Sequence, residues 1–138
     1  MARELQRECD LPLLLLDSIA WSDVAVRRPL GESINDLEEL ISGHSEWMLE
    51  GCYGELVEAA LPHCTELRFL NPGVAACVEN CRKRPWEPNK FTSPEEQDKM
   101  LVDLISWVRE YERREDEYGL ARHRAIYDNF QGTKREYS

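Results

Sequence analysis

The sequence predicts an α/β fold in which helices cover a parallel sheet. Helix-spaced and strand-length apolar segments alternate along the chain, the pattern of strands joined by helical crossovers. The run Leu13-Leu14-Leu15-Leu16 is continuously apolar and of strand length, as suits a strand buried on both faces of a parallel sheet. At 138 residues the chain has room for one domain with a real core, and it contains no internal repeat or low-complexity segment.

Residues 2–9 are helical by spacing, with Ala2, Leu5 and Cys9 on one face and charges on the other. The leucine run follows and ends on the carboxylate of Asp17. Residues 18–31, with Trp21, two arginines and Pro29, read as loop. Ser33 is placed as the cap of a helix through Ile34, Leu37, Leu40 and Ile41 to Gly43. Trp47-Met48-Leu49-Glu50 is a short strand broken by Gly51, and residues 54–61 are helical up to Pro62. Glu66 to Leu70 is the next strand, closed by Asn71-Pro72-Gly73.

Val74, Cys77, Val78 and Cys81 mark one face of a helix ending near Arg84. Ser93-Pro94-Glu95-Glu96 is a helix start with a cap, a proline in the first turn and acids near the positive end. That helix runs through Leu104 and Val108 to Tyr111. A last helix covers roughly 118–128, and the polar residues 132–138 have room for one short strand.

The formal net charge is −10, which argues against a general nucleic-acid binder because most of the surface repels a phosphate backbone. Against that background the run Arg82-Lys83-Arg84-Pro85-Trp86-Glu87-Pro88-Asn89-Lys90 stands out, since four local cations suit a negatively charged ligand, most simply a phosphate. No apolar run approaches the ~20 residues that span a bilayer, and the N-terminus is too charged for a secretory signal. Five cysteines without a disulfide-scaffold composition read as reduced thiols, so a cytoplasmic location without membrane association is expected. Cys77 and Cys81 read as small apolar core residues; a zinc site needs four convergent ligands, and no metal ligands are assigned.

Several segments in this order resemble the small P-loop kinases of the shikimate-kinase and adenylate-kinase type, and more closely an uncharacterised bacterial group of adenylate-kinase-like ATPases. They are Leu16-Asp17 followed by Trp21, Trp47 to Tyr53, Phe69-Leu70-Asn71-Pro72, Arg82 to Pro88, and Arg114-Glu115-Asp116-Glu117 with His123-Arg124 and Tyr127. The resemblance covers nearly all of the chain. It implies a three-layer parallel-sheet kinase-like domain over residues 1–138 with a lid at about 84–93. ATP and Mg²⁺ are the cofactors of the complete family, and a small-molecule phosphoryl acceptor is the implied partner.

By the same resemblance Arg82, Arg84, Arg114 and Arg124 are the catalytic cations, contacting phosphate oxygens through their guanidinium forks. Asp17, Trp21, Glu50, Gly51 and Tyr53 belong to the acceptor pocket. Trp86 stacks on a base or pins the lid. The bland readings are arginines that solubilise helix ends, a solvated strand-end acid, and tryptophans serving as anchors. Cys52-Tyr53-Gly54 departs from the family's nucleotide-kinase form, which has Pro-Arg after the Gly, so a nucleoside monophosphate acceptor is in doubt.

The family's G-x-x-x-x-G-K-[ST] loop occurs nowhere in the chain. The resemblance implies that Ala2 to Cys9 is the rest of the helix following that loop, with the first strand and the loop missing ahead of it. The family's first strand lies between those matching residues 47–50 and 66–70, so its loss implies a gap of roughly 10 Å between them. The chain is therefore expected to be inactive in phosphoryl transfer, to bind ATP and Mg²⁺ weakly at best, and to be poorly stable as a free monomer. A homodimer is one way to fill the slot. A degenerate ligand- or protein-binding module of the same fold is the alternative function.

Overall fold

The computed structural model describes residues 1–23 and 26–138; Val24 and Ala25, within the stretch read as loop, lie outside the described residues. The chain is mixed α/β and divides into two compact units, Met1–Glu66 and Leu67–Ser138.

The first unit opens with α1 (Ala2–Cys9), which ends on Asp10 in the left-handed region, φ 53°, with the Asp10 N–H donating to the Gln6 carbonyl at 2.8 Å. β1 (Leu13–Leu15) pairs in parallel with β4 (Met48–Glu50), in the register Leu13 to Met48 and Leu15 to Glu50. The connection between them passes through α3 (Leu30–Gly43), so the parallel crossover expected from the apolar pattern is present. α4 (Gly54–Ala60) follows β4 and runs into a 3₁₀ turn, Leu61–His63, at Pro62. Leu16, Ile19, Ala20, Leu37, Tyr53, Leu56 and Ala60 form the buried core of this unit.

Two local expectations change. Residues 17–23 and 26–27 form regular elements rather than loop: α2 (Asp17–Ala20) leads into β2 (Trp21–Asp23), which pairs antiparallel with β3 (Val26–Arg27). The arginines at 27 and 28 tie this element down. Arg27 donates to the Ala20 carbonyl at 2.8 Å, and Arg28 donates to the Ile19 carbonyl at 3.2 Å and to Asp36 at 2.6 Å. Short elements fastened by side-chain-to-carbonyl bonds leave no apolar period, so the sequence pattern is silent about them. Ser33 is the second change: α3 starts four residues earlier, with Pro29 in the cap position, and Ser33 is buried inside its first turn. Its hydroxyl donates to the Ile19 carbonyl at 2.7 Å, meeting the needs of two buried polar groups instead of capping a helix.

In the second unit β5 (Glu66–Leu70, which begins at the boundary) pairs with β6 (Thr133–Tyr137), the short strand allowed for in the polar tail. α5 (Val74–Arg82) starts after Gly73, whose φ of +91° only glycine adopts readily, and packs against α6 (Pro94–Arg109). α6 starts where the sequence places it, with the Ser93 hydroxyl accepting from the Glu96 N–H at 3.2 Å. It ends at Arg109, short of Tyr111. α7 (Leu120–Asn129) completes the unit, whose buried apolar residues are Phe69, Val78, Cys81, Ile126 and Phe130.

Among the described residues β4 and β5 each have one ladder partner, β1 and β6, in separate two-stranded sheets. No described helix is long and apolar enough to cross a membrane.

Candidate functional site

In the first unit the β1–β4 pair directs its carboxyl ends at a small polar cluster. Asp17 follows β1 by two residues, and Glu50, Gly51 and Tyr53 follow each other at the end of β4. The Tyr53 ring is only 5% exposed, and its hydroxyl stands between two partners. It accepts from the Trp21 indole N–H at 2.7 Å and donates to Oδ1 of Asp17 in a short hydrogen bond. Burial first, and the bond to Asp17 next, push the Tyr53 phenol well above its ordinary value. The neutral phenol is therefore the form that joins indole to carboxylate. The Arg27 guanidinium lies 5.2 Å from the Tyr53 ring centre, within cation–π range.

Gly51 has a packing reason at this place. A Cβ on it would stand 2.8 Å from the Leu16 Cβ, so only glycine lets β4 leave the sheet this close to β1. Glu50 is exposed, while its carbonyl accepts from the Leu16 N–H at 2.8 Å. Of the acceptor-pocket residues expected from the sequence, Asp17, Trp21 and Tyr53 are thus joined by hydrogen bonds, and Glu50 and Gly51 lie at the end of the adjoining strand. Arg27 is a neighbour that sequence reasoning missed, because an arginine on a two-residue strand carries no motif.

The second unit holds the four expected cations and Trp86. Arg82 and Arg84 flank the C-terminal end of α5. Arg82 is 3.9 Å from Glu79, an exposed i, i+3 pair, and Lys83 is 3.4 Å from the same carboxylate. Lys90 pairs with Glu87 at 3.2 Å. The segment at 84–93 is fastened to α6 by Gln97, whose Oε1 accepts from the Glu87 N–H at 2.9 Å and whose Nε2 donates to the Pro85 carbonyl at 3.0 Å, and by Glu96, which accepts from Thr92. Trp86, between its two prolines, is exposed.

Arg114 and Arg124 are mounted differently. The Arg114 guanidinium sits 4.4 Å from the Trp107 ring centre and grips Asp116, with Nε at 3.1 Å from both carboxylate oxygens and Nη2 at 2.8 Å. Gly119 packs so tightly beneath it that a Cβ there would collide with the Arg114 carbonyl oxygen. The Arg124 guanidinium lies 4.9 Å from the Phe69 ring centre and holds Glu136 in a two-bond fork at 2.8 and 2.7 Å. Hydrogen bonds from Arg124 hold the Glu136 carboxyl below the usual range, and the Asn71 side chain acts in the same direction. Two of the expected phosphate-binding arginines therefore already hold an internal carboxylate. Asp116 and Glu136 are the residues that matter to those forks, and only Asp116 belongs to a segment singled out from the sequence.

Cys81 is buried and Cys77 half-buried, and burial pushes the Cys77 thiol above its ordinary value. Comparison with protein-family models, curated proteins and solved structures finds no match to this chain.

Proposed function

We propose that this chain has the fold of an ATP-binding small-molecule kinase or ATPase of the P-loop class and does not by itself catalyse phosphoryl transfer. One observation carries the reading. β1 and β4 form a parallel pair joined through α3, and Asp17, Trp21, Glu50, Gly51 and Tyr53 gather at its carboxyl ends. Folds of parallel strands joined by helices bind ligands outside those ends. In this reading Asp17 orients the acceptor hydroxyl, with its Oδ1 engaged by Tyr53 and its other oxygen left to face the ligand.

Arg82, Arg84, Arg114 and Arg124 are the phosphate-contacting cations, and guanidinium forks of the kind formed by Arg114 and Arg124 match phosphate oxygens as well as carboxylates. Trp86 is the exposed ring available to stack on a base. The residues present fit ATP only in part. The forks suit its phosphates, but the 138 residues contain no loop lysine and no glycine-rich amide nest to hold them or to place Mg²⁺. No catalytic step is therefore assigned to the chain.

Titration of the chain with Mg-ATP, read calorimetrically alongside a phosphate-release assay, tests the proposal. Weak binding that falls further in Arg84→Ala, with no turnover, is expected. Turnover by this polypeptide, or binding indifferent to Arg82→Ala, Arg84→Ala and Arg124→Gln alike, rejects it.

A second reading is favoured by the occupied forks. Arg114 and Arg124 each grip a carboxylate, as they would in a degenerate, non-catalytic ligand- or protein-binding module of the same fold. It predicts no Mg-ATP binding at all, with the Asp17–Tyr53–Trp21 cluster kept intact.

A further inference from the structure

We propose that Arg124 and Asn71 form an anion site for a phosphoryl group, and that Glu136 of β6 occupies this site until a ligand displaces it. The inference rests on the phosphate-binding reading above and adds to it an internal competitor. Donors from two elements converge on one carboxylate. Arg124 of α7 supplies both arms of its fork at 2.8 and 2.7 Å, and the Asn71 side chain, just beyond β5, adds to the pull that holds the Glu136 carboxyl low. Two parallel N–H bonds from a planar guanidinium, supplemented by a neutral amide, are also what a phosphate takes from a protein.

The fork is held ready independently of its occupant. Its guanidinium lies on the Phe69 ring at 4.9 Å and near the Tyr127 ring at 5.9 Å, which fixes its plane. The occupant itself is loosely retained. Side-chain exposures of 36% for Arg124 and 33% for Glu136 put the pair in contact with water, where an ion pair is weak and an incoming anion competes directly. Asp128, one turn along α7, adds negative charge near Arg124, which weakens the hold on any anion there, the Glu136 carboxylate included. A phosphoryl group of a nucleotide or a pyrophosphate competes with Glu136 by presenting two oxygens to the two arms of the fork.

The test is calorimetric titration of inorganic pyrophosphate into the full chain at fixed ionic strength. It uses wild type, Glu136→Gln, Glu136→Ala, the double variant Arg124→Gln with Glu136→Gln, and Glu39→Gln. Glu39 lies exposed on α3, so its variant changes net charge by the same amount away from the site. Vacating the fork should tighten binding about fivefold, the scale on which an exposed ion pair competes. Glu39→Gln should leave it unchanged, and the added Arg124→Gln should abolish the gain.

Equal affinity of the Glu136 variants and Glu39→Gln overturns the proposal; if binding still depends on Arg82 or Arg84, the broader phosphate reading survives. Absence of pyrophosphate binding in every variant overturns both. Should the Glu136 variants misfold, the wild-type chain decides by nuclear magnetic resonance. Pyrophosphate must shift the Asn71 side-chain amide signals, and unmoved signals at saturation overturn the proposal.

Discussion

Tyr53 is the residue on which the first unit's polar cluster turns, because its hydroxyl is both acceptor for Trp21 and donor to Asp17. Its folded-state pKa is raised, so the folded chain keeps this proton at pH values where the unfolded chain has released it. The resulting stability is fully present below the unfolded value of about 10 and is lost as pH rises above it. In an alkaline titration followed by phenolate absorbance, Tyr53 should therefore stay un-ionised until the protein unfolds. Tyr53→Phe should remove that late component and flatten the fall of melting temperature above about pH 10. An absorbance change that is the same in wild type and Tyr53→Phe at the unfolding transition would contradict this. Gly119 makes the opposite kind of demand. Its φ of −86° suits any residue, so what excludes a side chain is the Arg114 carbonyl. Gly119→Ala should cost about 1–3 kcal/mol by overpacking, read as a lower chemical-denaturation midpoint with an unchanged slope.

At the scale of elements, α6 combines a start legible in the sequence with a role that was not. Ser93 accepts from the Glu96 N–H, and Thr92 gives Glu96 two bonds in return, from its N–H and its hydroxyl, each at 2.7 Å. Ser93→Ala should lower stability by about 1 kcal/mol, measured by denaturant unfolding. One turn along, Gln97 clasps the segment 84–93 through Pro85 and Glu87, a long-range contact that no local pattern encodes. Gln97→Ala should release it and speed tryptic cleavage after Lys90; an unchanged rate would show that the clasp does not restrain the segment. The same division runs through the whole fold. α1, β1, β4, β5 and α5 are legible because apolar period and Gly or Pro punctuation mark them. The β2–β3 pairing and the inward turn of Ser33 are not, since each depends on a carbonyl, Ala20 or Ile19, finding a distant donor. The candidate site divides likewise. Asp17 and Tyr53 are visible as strand-end residues, whereas the Arg124–Glu136 fork brings together residues whose spacing forms no motif.

For the whole molecule, the limiting quantity is how little regular structure each unit encloses. The described sheets have two strands each, and two-stranded pairs are marginal in water unless a third strand or helix covers them. Neither α1 nor the 16-residue α6 contains a buried residue, and Val102 of α6 is 68% exposed. The second unit rests on five buried apolar residues, Phe69, Val78, Cys81, Ile126 and Phe130. Its most regular ion pairs, at Arg114 and Arg124, lie at the surface, where such pairs add little to stability. A net charge of −10 adds self-repulsion that salt screens. At low protein concentration and low salt the free chain should therefore melt broadly and with small enthalpy, and both salt and pyrophosphate should raise the midpoint. Pyrophosphate should do so more than sulfate at equal ionic strength, because a ligand that binds only the folded state stabilises by mass action. Differential scanning calorimetry reads the outcome directly. One sharp transition within the ~45–65 °C range of ordinary domains, insensitive to protein concentration, would mean that these thin cores suffice and that no further strand or second copy is needed.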